Sequence, residues 1–318
     1  MPGETAQVFD LVVVGGGPGG YPAAIRAAQL GLKTALVEKE RVGGVCLNWG
    51  CIPTKAMLRS AEVLETMRHA ANYGVLADNV RLDYPAVLKR KERVVKTLTD
   101  GVASLVKANG VTVVDGHARF VGPRTVEVVG VGEAPLGDGG PRYNAPPAGD
   151  GRPLARLEGR NLIVATGSTP LLLPIPGIDL PGVVTSDGAF LLGEVPRRIV
   201  IIGASAVGAK WASMFSAFGA DAKRGIKVQT RRAVSEIAPA AKGKGKGKNG
   251  PLRVTITDPD GQRPSRWRPT WSWSGWDAGP TPRGSTSSGP GWPPTSAAGS
   301  PSTTGCGPTW PACTPSAT

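Results

Sequence analysis

A short apolar run that ends directly in glycines limits this chain to very few folds. Phe9-Asp10-Leu11-Val12-Val13-Val14 reads as a strand, and Gly15-Gly16-Gly17-Pro18-Gly19-Gly20 follows it at once. Gly15, Gly17 and Gly20 match G-x-G-x-x-G. A helix is predicted from about Gly19 to Leu30, closed by Gly31, and a second strand over Thr34-Ala35-Leu36-Val37 ends in Glu38. The first glycine permits a tight turn, the second lets backbone approach a pyrophosphate, and the third lets helix pack on strand. Glu38 falls where an acid hydrogen-bonds ribose hydroxyls. Pro22 sits in the first helical turn, where a missing N–H costs little. A glycine pattern alone says little. Strand, glycines, helix, strand and acid in register predict a dinucleotide-binding α/β unit.

Cys46 and Cys51 stand five positions apart, with glycines on both sides. Cys51 opens a predicted helix that runs through Lys55-Ala56-Met57-Leu58 to about Ala71. A helix N-terminus offers unpaired N–H groups and partial positive charge, which favour a thiolate. Pro53 suits such a first turn. The pair therefore reads as a working dithiol or disulfide; the alternative is two buried structural thiols.

The rest of the chain continues the α/β alternation. A helix is expected over about Pro85 to Ala108, a strand over Val111-Thr112-Val113-Val114, and a hairpin from Thr125-Val126-Glu127-Val128-Val129. Residues 130–153, rich in Gly and Pro, read as a long exposed loop. Asn161-Leu162-Ile163-Val164-Ala165 is a strand ending in the polar turn Thr166-Gly167-Ser168. A second unit opens at Arg198-Ile199-Val200-Ile201-Ile202 and runs into Gly203-Ala204-Ser205-Ala206-Val207-Gly208. Its middle position is Ser205, whose Cβ opposes close approach of phosphate.

A chain of 318 residues has room for about two domains. Four cysteines with one close pair do not make a secreted disulfide framework, the first residues lack a signal pattern, and no apolar run reaches membrane length. The expected compartment is the cytoplasm. The net charge of +13 invites a nucleic-acid or membrane partner, but Lys242, Lys244, Lys246 and Lys248 alternate with glycine, as in a solvated loop. Neither partner is expected, nor is a metal. His69 and His117 read as structural or exposed. Residues 264–318 lack Leu, Ile, Val, Met, Phe, Tyr, Lys and Glu, yet hold six of the eight tryptophans. Such a stretch buries too little apolar surface to offset chain entropy.

From about residue 8 to 220, and patchily to 262, the chain resembles the pyridine nucleotide–disulfide oxidoreductases. The resemblance centres on Cys46-Leu47-Asn48-x-Gly50-Cys51-Ile52-Pro53-Thr54-Lys55. Leu47 and Ile52, where other branches read valine, point to the branch that oxidises protein-bound dihydrolipoamide. The resemblance implies a three-layer, Rossmann-like FAD-binding domain over 1–165, an incomplete NAD-binding domain of similar kind over 166–262, and a disordered tail over 263–318. It implies FAD contacts at Gly15, Gly17, Gly19 and Gly20, at Glu38 and Lys39, and at Gly44, Val45 and Cys46. Further FAD contacts follow at Lys55, Ala118, Thr166, Gly167 and Ser168. Cys46 becomes the exchange thiol, Cys51 the thiol facing the flavin, and Lys55 the residue tuning the flavin edge. The implied partners are a lipoyl-bearing protein of a 2-oxo acid dehydrogenase or glycine-cleavage complex, and a second copy of the chain.

The NAD contacts would be Gly203 and Gly208. Lys210 replaces the family's acid there, and the text after Asp221 jumps as if a segment were missing. The family's C-terminal histidine, its glutamate partner and its dimer-forming domain have no match. A one-base frame shift through 266–281 permits a family-like Gly-Arg-Arg-Pro-Asn turn, and through 311–318 permits Gly-Val-Tyr-Ala-Ile-Gly-Asp. A frameshifted tail is therefore expected. The alternative function is an inactive product that at most binds FAD.

Overall fold

The apolar run becomes β1, Gln7–Val14, at the middle of a six-stranded sheet. Its side chains alternate between two faces, and both are covered, so polar residues are excluded from Leu11 to Val14. The computed structural model describes residues 6–133, 141, 145–149, 151–220, 226–240, 252–257, 265–267, 271–274 and 278–280, the last three stretches by backbone alone. These lie in one compact unit, Met1–Arg283; a second unit, Gly284–Thr318, is outside the described residues.

Helix α1, Tyr21–Gln29, leads to β2, Thr34–Glu38, which pairs with β1 in parallel. The short α2, Gly44–Asn48, and α3, Cys51–Arg68, carry the cysteines. Helix α4, Tyr84–Ala108, starts at Asp83, whose carboxylate accepts the Ala86 N–H at 2.9 Å. Strands β3 (Thr112–Asp115), β4 (His117–Phe120), β5 (Thr125–Val129) and β6 (Pro153–Val164) complete the sheet in the order β3-β2-β1-β6-β5-β4. The first four are parallel; β5 and β4 are antiparallel additions.

Leu11, Val13 and Leu36 pack against Ala24 and Ala27 of α1 and Val106 of α4. On the other face, Val12, Val14, Ala35 and Val37 meet Val126 and Val128 of β5 and Leu157 of β6. The antiparallel edge thus curls over the sheet as a third layer. Each buried aliphatic here contributes about 2 kcal/mol. Strand β6 is longer than the sequence predicts. Its front half, with Arg156, Glu158 and Arg160 exposed around buried Leu157, has only one covered face.

The second half begins with β7 (Ser168–Pro170), β8 (Val183–Val184) and the single turn α5 (Ser186–Ala189). Strand β9 (Ile199–Ile202) and helix α6 (Ala206–Phe218) repeat the strand–glycine–helix pattern of β1 and α1. Trp211 and Phe215 of α6 are fully buried and stacked at 5.1 Å, with Phe190 4.8 Å from Trp211. This cluster takes in Met57, Ala61 and Leu64 of α3 and Tyr84 of α4, so the two halves share a core. Strands β10 (Ala233–Pro239) and β11 (Leu252–Thr257) form a hairpin ladder.

Three short strands follow: β12 (Ser265–Trp267), β13 (Trp271–Ser274) and β14 (Ala278–Pro280); the rest of the expected tail over 263–318 lies outside the described residues. Strand β13 lies parallel to β9, as β6 lies parallel to β1. Ladder pairing uses backbone groups, so it does not require the aliphatic residues this stretch lacks. The expected break at Asp221 and the lysine–glycine loop lie outside the described residues.

Candidate active site: a glycine turn latched to a dithiol

The first glycine turn sits at the C-terminal ends of the adjacent parallel strands β1 and β6; from β1 the chain crosses to β2 on one side, while β6 lies on the other. Such a switch point is where open α/β sheets bind ligands. Gly15 has φ +102°, and a Cβ there would lie 2.3 Å from the Ala165 carbonyl oxygen. A Cβ on Gly20 would lie 1.7 Å from the Gly15 oxygen, so α1 rests directly on the turn. Gly17 differs: nothing but the Gly44 Cα, 3.8 Å away, stands near its missing side chain. The turn after β6 closes the same corner. The Ala165 N–H donates to the Val14 carbonyl at 2.8 Å, and Thr166 backs Gly15. Gly167 turns the chain at φ +71° towards Ser168, the first residue of β7. Gly19 approaches the Ala165 methyl group.

The cysteine segment is fastened to this turn by backbone. The Gly43 N–H donates to the Gly16 carbonyl at 2.8 Å. A Cβ on Gly44 would fall 2.6 Å from the Gly17 Cα. Only glycine allows α2, with Val45 and Cys46 in its first turn, to come so close. Gly50 then starts α3, where the Thr54 N–H donates to its carbonyl at 3.1 Å.

Cys46 is half-buried, Cys51 is exposed, and both are free thiols in hydrogen-bonding contact. Burial, followed by the hydrogen bond and charge of Cys51, pushes the Cys46 thiol up to about 11; the Lys55 charge opposes this. The structure thus brings Cys46, Cys51 and Lys55 together. Exposure ranks the two thiols opposite to the exchange role that the resemblance gives Cys46.

At the end of β2, Glu38 accepts the Gly16 N–H at 2.6 Å through one oxygen and the Glu40 N–H at 2.8 Å through the other. Burial outweighs these bonds and raises its pKa above the ordinary value. Burial lowers Lys39, against the pull of Glu38 and Glu40. The Glu38 carbonyl accepts the Gly116 N–H at 2.9 Å, which sets His117 and Ala118 beside the same strand end. Burial and then the Lys39 charge lower the His117 pKa, and its Nδ1 is buried without a partner. His69 is exposed at the end of α3, where its Nδ1 meets the Glu65 carbonyl at 2.9 Å. The arrangement has the parts for a dinucleotide: a bare backbone turn at Gly17, an acid at Glu38 and a dithiol alongside.

The second glycine turn keeps the same backbone. Gly203 has φ +98°, and a Cβ on Gly208 would lie 2.0 Å from the Gly203 oxygen. Ser205 occupies the N-cap of α6 in extended conformation, but its hydroxyl caps nothing and is buried without a partner. The turn thus tolerates serine at the position that Gly17 holds in the first turn. Lys210 is exposed.

Two residues near the first turn escape sequence reasoning. The Trp49 indole N–H donates to the Glu40 carboxylate at 2.7 Å. Trp49 fills the variable position of the cysteine motif and Glu40 follows the acid, so no spacing rule marks either. Among the described residues no group of His, Cys, Asp and Glu could hold a metal ion, and no helix is long and apolar enough to cross a membrane.

Residues 9–238 match the family described as pyridine nucleotide-disulphide oxidoreductase. Dihydrolipoyl dehydrogenase from Bacillus subtilis is 45% identical over 214 residues, covering 67% of this chain and 43% of that protein. Mitochondrial dihydrolipoyl dehydrogenase 1 from Arabidopsis thaliana is 41% identical over 67% of this chain and 38% of its own length. The chain therefore spans less than half the length of these relatives. The HOCl-induced flavoprotein disulfide reductase RclA from Escherichia coli, solved as its Cu(II) complex, has the same fold with a TM-score of 0.63 at 22% identity, over 86% of this chain and 57% of that one. A glycine turn latched to a close cysteine pair and a match over 9–238 agree: the chain belongs to the pyridine nucleotide-disulphide oxidoreductase family.

Proposed function

We propose that the chain is a flavoprotein of the dihydrolipoyl dehydrogenase type, which holds FAD beside the Cys46–Cys51 pair. One observation carries this reading: the Gly43 and Gly44 backbone is fastened to the Gly16–Gly17 turn, so a nucleotide on that turn adjoins the dithiol. Gly15, Gly17, Gly19 and Gly20 would hold the pyrophosphate, and Glu38 and Lys39 the ribose end. Gly44, Val45, Ala118, Thr166, Gly167 and Ser168 would border the cofactor. When bound, FAD would take an electron pair from the dithiol and deliver it as hydride to a nicotinamide.

The protein's own steps are thiol exchange. A substrate thiolate attacks the Cys46 sulfur of the Cys46–Cys51 disulfide, and Cys51 leaves as a thiolate. The second substrate thiol attacks the substrate's own sulfur in the mixed disulfide, and its proton passes to Cys46, which leaves as a thiol. The substrate is oxidised to a cyclic disulfide and the protein is left as its dithiol. Lys55 would stabilise the thiolates by charge. The substrate class is a dihydrolipoyl group on a carrier protein, and the compartment the cytoplasm.

A second reading is a protein that binds FAD but does not pass electrons to NAD+. Ser205 favours it, because its side chain stands where phosphate needs bare backbone. Flavin fluorescence quenching and NAD+ calorimetry separate the two. FAD binding with NAD+ heat supports the full reading, FAD binding alone supports the second, and no flavin binding under any refolding condition overturns both.

A further inference from the structure

We propose that Trp49 is a positioning residue for the ribose-binding acid. This rests on the reading that Glu38 receives the adenosine ribose of FAD. Trp49 sits between the two cysteines, at the end of α2, and its ring packs on the core shared by α3, α4 and α6. Its indole N–H holds the Glu40 carboxylate at 2.7 Å, a short, charge-assisted bond in a part-buried place. The Glu40 backbone N–H in turn holds Glu38 at 2.8 Å, and the other Glu38 oxygen holds the Gly16 N–H at 2.6 Å. Gly16 closes the ring of contacts by accepting the Gly43 N–H at 2.8 Å.

The glutamates have reason to separate. Glu40 is a like charge two positions from Glu38, and its field opposes ionisation of Glu38. With Trp49 as its partner, the Glu40 side chain is directed to the cysteine segment while its backbone serves Glu38. Loss of the indole N–H removes a 2.7 Å bond from the part-buried Glu40 carboxylate and loosens residues 38–40. The ring itself, by contrast, contributes only packing. The consequence falls on the adenosine ribose and nowhere else in the flavin.

The test uses the full chain, Trp49→Phe, FAD and the FAD analogue that lacks the adenosine 2′-hydroxyl. Phenylalanine keeps an aromatic ring in the cluster and removes the donor. The wild-type chain should prefer FAD over the deoxy analogue. In Trp49→Phe, FAD binding should weaken by about tenfold, the scale of one hydrogen bond to a charged group, while the analogue loses little. A merely structural role would weaken both ligands equally, and that result overturns the proposal. Unchanged FAD affinity in Trp49→Phe overturns it too. A wild-type chain that does not distinguish the two ligands, or binds neither, overturns the Glu38 reading as well. Should Trp49→Phe not fold, Trp49→Leu, which also removes the donor and keeps apolar bulk in the cluster, takes its place in the same comparison with the same expected selectivity.

Discussion

Glu38 is buried, carries two backbone N–H bonds and still has a raised pKa, because burial is the largest influence on it. A raised folded value means that protonation favours the flavin-free fold. That stabilisation is complete below the unfolded pKa and is lost as pH rises through the folded one. If ribose hydroxyls donate to the ionised acid, as proposed, FAD affinity should fall as pH drops through a value above the ordinary 4.5. FAD titrations from about pH 4 to pH 8 check this, and the fall should vanish in Glu38→Gln. The thiols offer a second measurement. Cys46 is half-buried and pushed up to about 11, whereas Cys51 is exposed. In the reduced, flavin-free chain, iodoacetamide should label Cys51 first, by at least about tenfold at neutral pH. Peptide mapping that finds Cys46 labelled first would contradict the geometry. Glu38 and the cysteines were legible in the sequence because their spacing carries chemistry. Trp49 and Glu40 were not, because their bond depends on how α2 docks beside β2, which no local pattern encodes.

At the scale of elements, the glycine turn separates folding from binding. Gly20 is closed by the Gly15 oxygen, while Gly17 opens onto the site. Gly20→Ala should cost about 3 kcal/mol of stability, since the clashing atom is backbone. Gly17→Ala should melt within about 0.5 kcal/mol of the wild-type chain and yet lose FAD affinity. Thermal melting and flavin titration of both variants check the pair of outcomes; equal melting losses would contradict it. The long helices follow from apolar periodicity, and α4 begins at its Asp83 cap. Strand β6 was only half legible. Leu162, Ile163 and Val164 announce its end, but Arg156, Glu158, Gly159 and Arg160 hide its start, which the curled β5 edge recruits into the sheet. The strands β12 to β14 were not legible at all, since backbone pairing leaves no mark in composition.

Across the described residues, the two glycine turns stand on one plan with different chemistry. Each rests a helix on its first glycine, and each strand before the turn has a parallel neighbour. The first turn presents bare backbone beside a dithiol; the second carries Ser205, whose hydroxyl is buried and unpartnered. The shared core of Met57, Trp211 and Phe215 joins the halves that carry them. Flavin bound at the first turn should touch the dithiol. Absorbance of the FAD-loaded chain during titration with a dithiol reductant tests it. A long-wavelength band from the Cys51 thiolate against the flavin is expected, kept in Cys46→Ser and lost in Cys51→Ser. A flavin that binds but shows no such band in the wild-type chain, or a band that survives Cys51→Ser, would contradict it.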